Sequence, residues 1–77
     1  MDISEFINKL ETEIDTIPKG TLRPETNYRD IAGWSSMHAL IIIALADTDF
    51  GVTLTGNDLR SANTVSDLFS IIKARMA

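Results

Sequence analysis

Residues 33–51, Gly33-Trp34-Ser35-Ser36-Met37-His38-Ala39-Leu40-Ile41-Ile42-Ile43-Ala44-Leu45-Ala46-Asp47-Thr48-Asp49-Phe50-Gly51, open on a serine pair and are unbroken apolar over residues 39–46. Serines precede helices because a side-chain hydroxyl can satisfy amides that the first turn leaves free. Gly51 behind Phe50 suits a left-handed C-terminal cap. The pattern predicts a helix from the Ser35-Ser36 pair to about residue 49. Met37, Leu40, Ile41, Ala44 and Leu45 mark one face, and Ile42 and Ile43 widen the apolar arc beyond a simple stripe. A helix this apolar is either nearly enclosed or presents part of itself to a partner or a buried ligand.

Two further helices flank it. Ile3, Phe6, Ile7, Leu10, Ile14 and Ile17 recur at spacings of three and four, which places a helix over residues 3–15. Asp2 with Glu5 forms a capping-box variant, and Pro18 and Gly20 stop the helix. Glu11, Glu13 and Asp15 fall on its other faces and read as solvated. Residues 18–34 form a connection long enough to imply a missed element or a loop with a job. Leu22, Tyr28, Ile31 and Trp34 are spaced along it as anchors. A short turn of helix is expected over residues 57–61, with Asn57 as cap and Asp58 in its first turn. The last helix covers residues 64–75, opening on Thr64 with Asp67. Val65, Leu68, Phe69, Ile72 and Met76 form its buried face, and Lys73 and Arg75 sit where a helix favours positive charge. The expected fold is all-α: a small bundle of three main helices and one short helix, with a long loop between the first two, in a single domain spanning residues 1–77.

A chain of 77 residues holds one small core and buries roughly 60% of its unfolded surface. Hydrophobic content of 44% suits a globular chain. The absence of cysteine removes disulfides and thiolate metal sites and favours the cytoplasm. Met1 runs into Asp2 and Glu5 with no basic or apolar leader region, so no secretory signal is expected. Residues 39–46 are far short of the roughly 20 needed to span a bilayer. A net charge of −4 opposes nucleic-acid binding and steers toward basic partners. Enzymatic equipment is sparse. His38 is the one histidine, no Gly-rich phosphate loop is present, and Ser36 and His38, two apart, point to opposite sides of a helix. Ser35 and His38 are three apart and within reach, but no nucleophile-elbow motif surrounds them. His38 reads as an exposed helix residue.

If one serine caps, the other is free at the positive end of the helix, where a phosphodiester is favoured. Gly33-Trp34-Ser35-Ser36-Met37, the helix to Phe50 and then Gly51-Val52-Thr53-Leu54 resemble the attachment region of acyl and peptidyl carrier proteins. The likeness extends along the chain in length, acidity, long first loop, short third helix and the Thr64-Val65 pair. The family motif is Asp-Ser-Leu, so Ser36 matches the serine that receives 4′-phosphopantetheine from coenzyme A, Ser35 the aspartate and Met37 the leucine. The resemblance implies a non-catalytic carrier that holds acyl or aminoacyl groups as thioesters for a specialised lipid, fatty acid, polyketide or related pathway. Its implied partners are a phosphopantetheinyl transferase and acyl-loading and acyl-transferring enzymes, and its default state is a monomer. It implies a docking surface of Trp34, His38, Ile41, Asp47 and Asp58, and an acyl lining of Leu45, Leu54, Leu59, Ala62 and Leu68, which are equally core positions. The chain departs from the pattern at Ser35, which lacks the aspartate charge, and in its second helix, where Asp47 and Asp49 are the only acids. Fewer charges imply more hydrophobic docking. The competing reading is a helical adaptor or oligomerisation module, or a carrier-like chain never modified, whose apolar second helix binds a partner without any cofactor.

Overall fold

The computed structural model describes residues 2–14, 17–31 and 33–76. Among these residues there are four α-helices: α1 (Ile3–Glu13), α2 (Ser36–Phe50), α3 (Gly56–Ser61) and α4 (Val65–Arg75). A 3-10 turn, Tyr28–Asp30, interrupts the long connection between α1 and α2. Among the described residues there is no strand, only an isolated bridge between Asn27 and Thr64, and no helix is long and apolar enough to cross a membrane.

Side chains take up the free amides that open α1, α3 and α4. The Glu5 N–H donates to Asp2 at 3.1 Å. Thr64 and Asp67 exchange reciprocal bonds of 3.1 and 3.0 Å. At α3 the cap is Thr55 rather than Asn57. The Asp58 N–H donates to the Thr55 hydroxyl at 3.2 Å, and the Asp58 carboxylate accepts the Thr55 N–H at 2.9 Å. A threonine three residues ahead of an acid completes a capping box, which Asn57 inside the first turn cannot do. Gly51 closes α2 in the left-handed region at φ +64°. The helix α1 ends at Glu13, and Asp15 lies outside the described residues.

The core draws Phe6, Leu10 and Ile14 from the α1 segment, Ile42, Leu45 and Ala46 from α2, and Val65, Leu68 and Ile72 from α4. Both α1 and α3 pack on α4. The Phe6 ring sits 6.0 Å from Phe50 and 5.8 Å from Phe69. Met76, expected on the buried face of α4, is 37% exposed. The helix has ended at Arg75 and Met76 is extended, so it no longer follows the helical repeat.

The long connection is structured from end to end of its described part. Leu22 and Tyr28 are buried as anchors, and Ile31 and Trp34 are half-buried against the core. The Val65 and Ser66 amides, in the first turn of α4, donate to the Thr26 and Pro24 carbonyls at 3.0 and 2.8 Å. The Tyr28 hydroxyl reaches the carbonyls of Leu59 and Ala62, the latter at 2.9 Å. The Arg29 guanidinium donates to Arg60 and Ala62 carbonyls at 3.0 and 2.9 Å and to the Asn63 side chain. These carbonyls lie at the C-terminal end of α3, where helical partners run out.

Glu11 corrects the expectation of a solvated face. It is only 7% exposed and accepts the Gly20 and Leu22 N–H groups, each at 3.0 Å. The chain leaving α1 turns back along it, with Gly20 at φ +83°, and its amides need an acceptor. The Gly20 and Leu22 bonds hold the Glu11 carboxyl below the usual glutamate range, against the opposing effect of burial. A depressed carboxyl stabilises the fold above its unfolded value and loses that contribution as the pH falls through the folded one. Glu11→Ala is therefore expected to cost about 2 kcal/mol in urea unfolding at pH 7. The gap to wild type should narrow as the pH drops from 6 to 3; a gap that ignores pH would exclude the ionised carboxylate as its source.

Candidate functional site

The start of α2 differs from the other helix starts. Ser35 is the N-cap, in extended conformation at φ −149° and ψ 174°, and Ser36 is the first helical residue. Both are exposed. The first turns of α1, α3 and α4 carry Glu5, Asp58 and Asp67, whereas that of α2 carries no acid. In its place His38, at the third helical position, reaches back. Its Nδ1 lies 3.2 Å from the Ser35 amide nitrogen, which donates to it, and 3.1 Å from the Ser35 hydroxyl. The His38 ring stacks on Trp34 at 5.5 Å and 29°, and Trp34 packs at 5.4 Å against buried Tyr28. His38 is thus half-buried and engaged rather than simply exposed. Its place three residues after the cap, where Glu or Gln completes a capping box, was the available sequence signal.

The face that α2 turns to the core is not the expected one. Ile42, Leu45 and Ala46 are buried, while Met37 and Leu40 are 68% and 64% exposed. A helix apolar around its whole circumference has no pattern to choose between faces, so packing decides. Met37, Leu40 and Ala44 form an outward apolar stripe that begins beside Ser36. Ile41 is half-buried at its edge and, with Glu13, Ala44, Leu45, Thr48 and Asp49, lines a cleft of about 240 Å³ between α1 and α2.

The other expected site residues separate. Asp47 is exposed on α2. Asp49 pairs with Lys9 of α1 at 3.3 Å. Asp58 is engaged within the fold: besides its cap bonds it holds the Arg75 guanidinium through contacts of 2.6 and 2.9 Å, and Arg75 also donates to the Thr53 carbonyl at 3.0 Å. The Arg75 bonds, aided by the Thr55 amide, push the Asp58 carboxyl far below the usual aspartate range. This joint ties the end of α4 to the start of α3. Leu45, Leu54, Leu59, Ala62 and Leu68 are all buried in one core cluster. Of these five, only Leu45 borders either the α1–α2 cleft or a second one of about 180 Å³ lined by Ile17, Pro18, Thr21, Leu22, Thr26, Asp30 and Ile31. Among the described residues no group of His, Cys, Asp or Glu side chains is placed to hold a metal ion.

Comparison with known protein families and with curated proteins gives no match for the chain.

The face assignment has a direct test. Replacing both Met37 and Leu40 with Ser is expected to change unfolding free energy by less than about 1 kcal/mol, because neither side chain is buried. Ile42→Ala should cost about 2–5 kcal/mol through a core cavity. Urea denaturation at neutral pH separates the two, and the reverse ranking would show that α2 packs by its other face.

Proposed function

We propose that the chain is a non-catalytic carrier that takes a 4′-phosphopantetheine arm on Ser36. The observation that supports this best is the placement of Ser36: an exposed hydroxyl on the first residue of α2, directly behind an N-cap serine. The free amides and positive end of the helix favour a phosphate there, and no carboxylate of the first turn opposes it. Ser36 Oγ would attack the coenzyme A pyrophosphate on a transferase, forming the Ser–O–P bond and releasing the adenosine bisphosphate half. The arm supplies a terminal thiol for thioester carriage, which a chain without cysteine cannot supply itself. The exposed stripe of Met37 and Leu40 beside Ser36 is the surface on which a transferase and acyl-handling enzymes would seat. With Asp49 paired to Lys9 and Asp58 to Arg75, Asp47 is left as the acid of α2 most open to a basic partner, so docking is mainly apolar and weakly salt-dependent.

The same stripe favours a second reading, an interaction module that binds a partner through α2 and never carries an arm. Intact-protein mass after incubation with coenzyme A and a broad-specificity phosphopantetheinyl transferase distinguishes the two. Wild type and Ser35→Ala are expected to gain one phosphopantetheine, and Ser36→Ala none. A folded wild-type protein that gains no mass would overturn the carrier reading and leave the interaction module.

A further inference from the structure

We propose that His38 is the positioning residue for the first turn of α2, holding it only while the imidazole is neutral, so that the presentation of Ser36 depends on pH. The consequence for Ser36 rests on the carrier reading; the lock on the turn does not.

The geometry specifies the protonation state. The Ser35 N–H points at His38 Nδ1 across 3.2 Å, and the Ser35 hydroxyl lies 3.1 Å from the same atom. An amide can only donate, so Nδ1 must present its lone pair and the ring proton belongs on Nε2. Stacking on Trp34, which rests on buried Tyr28, fixes the plane of the ring. Adding a proton at Nδ1 would set donor against donor and place a positive charge beside the positive end of the helix.

The loop and α2 both place groups near the ring. From the loop, Trp34 faces it, with Tyr28 behind and the Arg29 guanidinium 5.5 Å from the Tyr28 ring centre. On α2 itself, Asp47 and Asp49 stand at the far end, about 14 and 17 Å along the axis at 1.5 Å per residue. At the other three helix starts a carboxylate is the side-chain acceptor, that of Asp2, Asp58 and Asp67. Histidine changes charge between pH 5 and 8. Among the four described helix starts, α2 alone has an imidazole as the acceptor.

The test uses the full chain as wild type, His38→Gln and His38→Ala, at pH 8 and pH 5.5. Gln keeps a neutral acceptor at the box position, and so retains the bond without the titration. Nitrogen NMR of wild type at pH 8 should show His38 protonated on Nε2. The hydrogen-exchange protection factor of the Ser35 amide should fall about fivefold in wild type on acidification, the size expected for loss of one cap. It should stay high in His38→Gln and low at both pH values in His38→Ala. Initial rates of Ser36 loading by the transferase, each divided by the His38→Gln rate at the same pH, should follow the same order. Equal Ser35 protection in His38→Ala and wild type at pH 8, or an acid-induced drop in His38→Gln equal to that of wild type, would overturn the proposal. If protection follows the expected order while wild type is never loaded, the lock on the turn is upheld and the carrier reading falls.

Discussion

Tyr28 ties the long connection between α1 and α2 to the end of α3. Its side chain is fully buried, its hydroxyl engages the carbonyls of Leu59 and Ala62, and the adjacent Arg29 binds the same carbonyl cluster. One short turn therefore satisfies backbone groups at the end of α3 that would otherwise be orphaned in a partly buried setting. The residues just before it, Pro24 and Thr26, accept the first amides of α4. A connection that would cost conformational entropy as a free loop instead serves as the acceptor and donor for two helix ends. Without it, α3 would lose its C-terminal partners and α4 the backbone ladder at its start.

The same residue reaches the candidate site from the other side. Trp34 packs on the Tyr28 ring and His38 stacks on Trp34, so three rings run from the buried turn to the Ser35 amide. The opening of α2 is thus fixed by contacts from outside the helix as well as by its own sequence. The Asp58–Arg75 pair does comparable work between α3 and α4. Its charges are spent on the fold, whereas the outward stripe of α2 and the Ser36 hydroxyl are not. That division separates residues committed to the scaffold from the residues of α2 left facing solvent.

Much of the scaffold was legible because it is written in local terms. Helix starts at Asp2, Ser35 and Thr64 follow from a capping side chain ahead of a periodic run, and Gly51 marks the end of α2. What escaped depends on distant parts of the chain. Glu11 sits at a polar position of α1, and only the return of residues 20–22 along that helix buries it. The inward face of α2 was misplaced because consecutive isoleucines at 41, 42 and 43 offer every orientation an apolar side chain. Asp58 looked like a surface acid because Arg75, its partner, is a whole element away. Ser36 was legible as an exposed helix-start serine, but the role of its neighbour was not: the His38 bond becomes visible only once Trp34 holds the ring against the cap.

The start of α2 differs from the other helix starts at both positions of its capping box. Where the resembled motif has an aspartate, the cap here is Ser35, whose hydroxyl brings no charge to the helix terminus. Charge–dipole stabilisation worth about 0.3–1 kcal/mol is given up at such an exposed site. A side chain at the cap position accepts the amide of the second or third helical residue, as Asp2 does for Glu5, and never its own. The amide of the cap residue is a separate donor, and at Ser35 its acceptor is the third-position His38. That third-position acceptor is a carboxylate at α3 and α4 and an imidazole at α2. Ser35 and His38 together leave the start of α2 without a carboxylate at either position of its box, so no negative charge there offsets the positive end of the helix.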